Sequence, residues 1–543
     1  MCWLPSFPSH DSITPPLHIL QRCHCAMSKP ESRDQSFPTP EASQTDSISS
    51  LPSEILQKIF VFYLLHPPFR SFPQARSQRK HLICSGHQPL SPIDLALVCS
   101  AWKDLVAHTP RLWSRVNIQG RLLPQHLAAL STWLTNSRNH DLEFDLEFAE
   151  FHGRRTTHDE YTPNKDMEFS VLIKIMDELS QHSTRVKKLN ITLYGGLTNE
   201  RAVYPPIFES LAAKWVEWSR LEEIGIKVDT WKPTGLPISG MVEEMLQRAP
   251  KLVSVTIPKL TPHGLEKLKT RYPFPEYPWH KLQETTIHGI TVPDLLSILP
   301  NLSSLRILKA SISDGTDADT APSQIVHVPS LHSLFIYEYD IDSSRSSVAL
   351  FRSISLPSLQ NLSAVIKGSQ RRLSTGEVYG SICECLERSQ AKLESLTLGD
   401  HLTLGAANVE QTLIQFMSQP IIKNNLRKLT LLNRIVTRKF IDALTFSDPS
   451  APVLLPNLEC LILSRWSVGS PTARGILMNM AITRSQVAPL KTLKVIFGEV
   501  AAVVPDAERL KYHESRLENL EVFFEHDSSV MDLGAYRASL WLQ

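Results

Sequence analysis

The 543-residue chain has no uninterrupted apolar run long enough to span a bilayer. Its N-terminus has no basic segment followed by an apolar stretch, so a secretory leader is not expected. No long Lys/Arg run or basic stripe appears, and 56 Lys+Arg stand against 55 Asp+Glu. That balance disfavours a nucleic-acid surface. The motifs of the common catalytic machineries are also missing: there is no G-x-S-x-G, no G-x-x-x-x-G-K-[ST], no H-E-x-x-H and no G-x-G-x-x-G. Only 8 cysteines occur, scattered at positions 2, 23, 25, 84, 99, 383, 385 and 460. Such spacing fits reduced thiols in the cytoplasm or nucleus better than a disulfide framework. Hydrophobic residues make up 42% of the chain, as in a folded protein that buries a large core.

Residues 1–47 are rich in Pro, Ser, Thr and charge, and are read as a disordered segment. Leu51 and Pro52 then open a helical pattern in which Ile55, Leu56, Ile59, Phe60 and Tyr63 recur at helical spacing. A second stretch carries Leu95, Val98, Cys99, Trp102, Leu105 and Val106 on one predicted face, and Leu112–Trp113 closes the module. Between them, 66–90 is proline-rich with a basic cluster, and reads as a loop the helices can do without. Helices this short cannot bury so much apolar surface alone, so the module over 48–114 is expected to meet a partner.

From Val186 onward the chain repeats itself. The pattern L-x-x-L-x-L, with Val, Ile or Thr sometimes replacing Leu, starts at 186, 221, 252, 282, 302, 331, 359, 393, 426, 458, 490 and 517, at separations of 20 to 35 residues. An earlier unit is read in DLEFDLEF, 141–148. The last two apolar residues of a unit are two apart, so a short strand points both to one side. Helical stretches such as 207–218, 240–249 and 409–417 fall between units. Strand, turn, helix, strand at this period predicts an α/β solenoid over 115–543, with parallel strands and with helices on the convex side.

The order LPxEIL, VCxxW, LW resembles the F-box, and the L-x-x-L-x-L units resemble the leucine-rich repeat. The lead-ins LPNL at Leu299 and Leu455 and LPSL at Leu356 look like those of the large F-box families of mushroom-forming fungi. The resemblance implies a substrate-recognition subunit of a Skp–cullin–F-box ubiquitin ligase that does no chemistry itself. Leu51, Pro52, Ile55, Leu56, Ile59, Phe60, Leu95, Val98, Cys99, Trp102 and Trp113 would contact the Skp-type adaptor. The repeats would hold a protein substrate. Two alternatives stay open: an interaction scaffold outside any ligase, and an enzyme with an unrecognised site.

Two further groups bear on function. His81, Cys84 and His87 have ligand spacing, but no fourth ligand is evident, so no metal and no cofactor are expected. In LHSLFIYEYD, Leu334 and Ile336 should point into the core, with Ser333, Phe335, Tyr337 and Tyr339 on the concave side. Aromatics are frequent interface anchors, which makes Phe335, Tyr337 and Tyr339 candidate substrate contacts; packing is the competing role. Lys188, Asn190, Glu284, His288, Arg306, Lys428 and Lys494 are polar candidates on the same side.

Overall fold

The computed structural model describes residues 51–65, 83–84, 91–119, 124–149, 165–194, 217–229, 248–257, 278–313, 324–338, 344–366, 375–400, 407–432, 438–446, 453–466, 477, 479–485, 490–497 and 521–526. The chain divides into a unit Met1–Pro52, of which only Leu51 and Pro52 are described, and a unit Ser53–Gln543. Both described residues of the first unit are exposed. The segment expected to be disordered, His81, His87 and Tyr339 lie outside the described residues, as do nearly all of 207–218 and 240–249.

The second unit begins with helices α1 (Ser53–Leu65), α2 (Pro92–Ala96) and α3 (Ser100–Ala107) and a 3₁₀ turn, Pro110–Trp113. The expected single helix over Leu95–Val106 is two. The Ser91 side chain and Asp94 cap the start of α2 reciprocally, Leu97 closes it, and Cys99 is extended before α3. The hydroxyl-and-carboxylate box at Ser91 forces a fresh helix start ahead of Leu95, so Val98 and Cys99 fall in the turn. Leu56, Phe60 and Leu64 line the inner face of α1 at helical spacing. Phe60 packs on Trp102 at 4.5 Å between ring centroids. The Trp113 indole donates to the Val106 carbonyl at 2.9 Å and meets Trp133 edge-on at 5.2 Å.

Among the described residues a 15-stranded sheet follows. Its first strands are β1 (Ile83–Cys84), β2 (Arg115–Gln119), β3 (Leu142–Ala149), β4 (Val186–Tyr194), β5 (Glu223–Asp229), β6 (Ser254–Ile257), β7 (Glu284–Ile290) and β8 (Ile307–Ile312). A two-stranded side pair is formed by β9 (Val326–His327) and β11 (Ile354–Ser355). The main sheet continues through β10 (Ser333–Glu338), β12 (Asn361–Ile366), β13 (Ser395–Asp400), β14 (Lys428–Leu432), β15 (Cys460–Trp466), β16 (Thr492–Phe497) and β17 (Glu521–His526). From β2 to β17 every neighbouring pair in the main sheet is parallel. The exception is β1, which pairs antiparallel with β2, Ile83 opposite Ile118. Part of the segment read as a dispensable loop is therefore an edge strand. It covers main-chain groups of β2 that a first strand leaves unpaired.

Helices α4 (Gln125–Asn136), α5 (Lys165–Ser180), α6 (Val292–Ile298), α7 (Ser344–Ser353), α8 (Thr375–Ser389), α9 (Ala407–Met417), α10 (Pro420–Lys423) and α11 (Arg438–Leu444) connect the strands. Consecutive helices pack side by side, α6 on α7, α7 on α8 and α8 on α9. Leu334 and Ile336 are buried among them, and Ser333 and Phe335 are half-buried on the opposite, open face, as the alternation predicts.

One turn recurs at several strand entrances. In APKL, LPNL, LPSL and LPNL, the N–H of Leu252, Leu302, Leu359 or Leu458 donates to the carbonyl three residues before, at 3.1 to 3.2 Å. Proline suits the second position of such a turn because its φ is already set. The residue after each entrance Leu then donates to its counterpart one unit earlier. Glu394 donates to Gln360, Arg427 to Glu394, Glu459 to Arg427 and Lys491 to Glu459. A continuous ladder thus runs along the strand entrances.

Two units are out of the expected register. Leu308 and Ala310 lie opposite Leu334 and Ile336, so the fifth repeat begins at Leu305, not Leu302. Both leucines are buried, because Leu302 occupies the entrance turn. Arg306 moves to the rim, and Lys309 takes the open-face position. In the last unit Val522, not Leu520, pairs with Leu493.

Candidate functional site

Among the described residues, eight large apolar side chains are exposed, and seven lie within 51–98: Leu51, Ile55, Ile59, Phe62, Ile93, Leu97 and Val98. Ile55, Ile59 and Phe62 share the outer face of α1 at helical spacing. Ile93, Leu97 and Val98 rise from α2 and the turn after it, with Leu97 69% exposed. Of the expected adaptor contacts, Leu51, Pro52, Ile55, Ile59, Val98 and Cys99 are exposed. Leu56, Phe60, Leu95 and Trp113 are not, being 2 to 9% exposed. They fill the module's own interior, because a helix that docks outward must also pack inward. Trp102 lies between, half-buried against Phe60. Phe62, Ile93 and Leu97 were missed; the hydrophobic pair Leu97–Val98 just before a helix start was the available signal.

The open face of the sheet is the second candidate surface. Over its first strands it carries charge, arranged in cross-strand pairs. Arg115 meets Glu143 at 2.7 Å, Lys188 meets Glu223 at 2.8 Å and Lys309 meets Glu284 at 3.0 Å. Burial lowers the Lys227 pKa, and Asp145 opposes that shift. Burial, with the nearby Lys227 charge, brings His288 down to about 4. His288 is therefore neutral at pH 7. An unfolded chain binds a proton there near 6.5, whereas the folded chain resists until about 4. Folding stability contributed at this residue is complete above 6.5 and is lost as pH falls toward 4. The melting temperature should accordingly drop over that interval, and His288→Gln should flatten the drop in paired thermal melts; equal slopes would refute the assignment.

From β10 onward the open face changes. Phe335 is half-buried, with the Lys309 ammonium 5.8 Å from its ring centroid. Tyr337 is 6% exposed and clusters with Val365 and Leu432. Its ring fills that cluster, so packing and not surface contact is its role. Gly399 sits beside them, and a Cβ there would lie 2.9 Å from both Val365 methyls. The absence of a side chain at 399 makes room for Val365.

A polar recess of about 300 Å³ lies at the strand entrances, lined by Lys392, Glu394, Asn424, Asn425, Arg427, Asn457 and Glu459. Glu459 pairs with Arg427 at 3.4 Å and with Lys491 at 2.8 Å, and the Lys491 hydrogen bond lowers its pKa. The lining has no Ser, Cys or His for nucleophilic or proton-transfer work. Burial pushes the Cys383 thiol up to about 12, with Glu387 and Glu384 adding to the shift, so it is held as an unreactive thiol. Among the described residues no group of three His, Cys, Asp or Glu is placed to hold a metal, and no helix is long and apolar enough to cross a membrane.

Repeat, register and core together define an α/β solenoid of the leucine-rich-repeat type. No family profile matches the chain, and no curated protein matches it. Among solved structures, the crystal structure of a TLR13–ssRNA13 complex matches at 14% identity with a TM-score of 0.29. The match covers 59% of this chain and 36% of that one.

Proposed function

We propose that this protein is a substrate-recognition subunit of a Skp–cullin–F-box-type ubiquitin ligase, in which the helical module docks the Skp-type adaptor and the solenoid's open face holds a protein substrate. The observation that carries this reading is the segregation of exposed apolar residues. The solenoid buries its leucines, while α1, α2 and the following turn present Ile55, Ile59, Phe62, Ile93, Leu97 and Val98 outward. Clustered apolar exposure of this kind marks an interaction site. The order LPxEIL, VCxxW, LW, similar to the F-box of the fungal families, supplies the identity of the partner. The scaffold role of the solenoid follows from its fold.

One hydrophobic cluster runs from Leu56 and Phe60 through Trp113 and Trp133 into the repeats. The module is thus built into the solenoid's core and not tethered by a flexible linker. A receptor of this construction fixes where its substrate sits relative to the docked ligase. It acts by raising the effective concentration of a substrate lysine near the reactive thioester.

The test is co-purification of adaptor and cullin with Ile55→Ala/Ile59→Ala/Val98→Ala. All three side chains are exposed, so the variant should melt like the wild type. Each large aliphatic buried at an interface contributes about 1.5–3 kcal/mol, so the adaptor should be lost from the purified sample. Full adaptor recovery from the folded variant refutes the docking role.

A further inference from the structure

The chain between α1 and α2, residues 66–90, holds one run of three apolar residues, Leu82, Ile83 and Cys84. Ile83 and Cys84 form β1, which runs opposite to its neighbour β2, with Ile83 across from Ile118 and Cys84 across from Asn117. β1 also packs on α4, the first helix after β2. The edge it covers has little protection of its own. RVNIQ contains no proline and a single charge, at its first residue. The far edge strand, EVFFEH, carries two glutamates.

The helices that carry the exposed apolar residues are linked to the solenoid at two different places. α2 packs on α3, and α1 packs on α3 and on the turn Pro110–Trp113. That turn leads through Ser114 into β2 and packs on α4, with Trp113 against Trp133. This first link is apolar, and apolar burial has no preferred direction. The second link is β1, in the chain that leaves the end of α1 and returns to the start of α2. Its backbone hydrogen bonds do fix a direction and a register. The turn enters β2 at Arg115, whereas β1 pairs at Asn117 and Ile118. The farther of these lies about 10 Å along the strand from the entry point. A body fastened at one place can swivel, and a second fastening that far away removes the freedom.

We infer that β1 is a strap, whose pairing with β2 sets the orientation of α1 and α2, and with them the exposed apolar face, on the solenoid. The consequence for function rests on the docking role proposed above: the strap holds a docked ligase at one angle to the substrate-bearing sheet. Releasing it spreads the distances between substrate lysine and thioester, and so lowers the effective concentration that the receptor supplies. The insertion between the first two helices is then a positioning element of the receptor, although it lies outside the apolar face itself.

The experiment measures a distance distribution by pulsed electron paramagnetic resonance on the full chain. Spin labels are carried on non-natural residues at Lys58 of α1 and Glu387 of α8, both exposed, which leaves the native cysteines untouched. Ile83→Pro/Cys84→Pro keeps the chain length and removes both backbone donors of β1. A second variant replaces 67–89 by a short Gly/Ser linker and removes β1 altogether. Wild type should give one narrow distance. Both variants should widen it by roughly 5 Å, the strand spacing that the pairing enforces. Adaptor recovery should stay within a few-fold, since Ile55, Ile59 and Val98 are unchanged, and the thermal transition should stay cooperative. A broad wild-type distribution, or variants as narrow as wild type, would overturn the inference, because the Trp113 contact would then be the whole attachment or no attachment would be rigid. If one variant loses the cooperative transition, the other decides; if both lose it, β1 belongs to the solenoid's own stability and the strap is refuted. If wild type recovers no adaptor while the distances behave as described, the ligase assignment fails and the strap stands. Adaptor recovered with unchanged distances refutes the strap alone.

Discussion

Leu396→Asp unfolds the central repeats. Leu396 is fully buried on β13, opposite Leu362 on β12 and Leu429 on β14, in the row that faces the helices. Removing a buried leucine side chain costs about 2–5 kcal/mol, and an unpaired carboxylate in its place adds the penalty of a buried polar group. Stabilities of folded domains are about 5–15 kcal/mol, so this single change removes a large part of the total. In an array each repeat leans on its neighbours, and the damage spreads to both sides. Limited proteolysis with fragment mapping should show cleavage opening around 360–430, with loss of the cooperative thermal transition. A melt within a few degrees of the wild type would contradict the placement of Leu396 in the core. Thr397→Asp, one residue away on the open face, is the control and should be far milder.

Arg484→Met comes second in expected size. Arg484 lies in a helical stretch, 479–485, with no solvent exposure. Its Nη1 donates to the Leu444 carbonyl at 2.9 Å and the Leu454 carbonyl at 3.0 Å, and its Nη2 donates to the Leu455 carbonyl. Phe446 stacks below the guanidinium, 5.6 Å to the ring centroid. Burial lowers its pKa to about 10, so it still carries its charge at pH 7. Leu444 ends α11, where a carbonyl lacks a helical partner, and Leu455, whose carbonyl also accepts from the Leu458 N–H, has φ +52° in the turn before β15. Arg388 does the same three repeats earlier, on α8, donating to the Phe351 and Ile354 carbonyls at 2.6 Å. Methionine keeps the apolar stem and deletes the donors. The Leu444 and Leu454 carbonyls are stranded at about 1–3 kcal/mol each, giving a loss of about 2–4 kcal/mol once the structure relaxes. Urea denaturation should show a lower midpoint, with Arg484→Lys intermediate because one ammonium cannot span three acceptors. An unchanged midpoint for the methionine variant would rule out the clamp.

The solenoid was legible because its signal is arithmetic. Leu, Ile and Val recurring two apart after a fixed turn need no tertiary information to be seen. Most of the strands follow directly from that pattern, including Leu142–Ala149, where DLEFDLEF announces itself. The failures have physical causes. In LSSLRILKA, leucines at 302, 305 and 308 are equally spaced, so pattern alone does not say which begins the repeat. Only the strand pairing, Leu308 opposite Leu334, decides it. Strand β2 lacks an L-x-x-L lead-in, and β1 has only two residues within a proline-rich segment. Neither carries enough local signal to be read, and both exist because the sheet's first edge needs a neighbour.

The candidate contacts divide along the same line. Chain order alone determined that 51–113 holds more apolar surface than short helices can bury, and that the repeats form a parallel sheet with alternating faces. Tertiary packing decided which apolar residues point where. Leu56 and Ile55 are adjacent and chemically alike, yet one is 7% exposed and the other 42%. Phe335 and Tyr337 share a face by alternation, yet Tyr337 is sunk beside Val365 and Leu432 because Gly399 leaves room for that cluster. Periodicity is a property of one segment and is written in it. Burial depends on what other segments bring to the same place, as β12 and β14 bring Val365 and Leu432 to Tyr337 of β10.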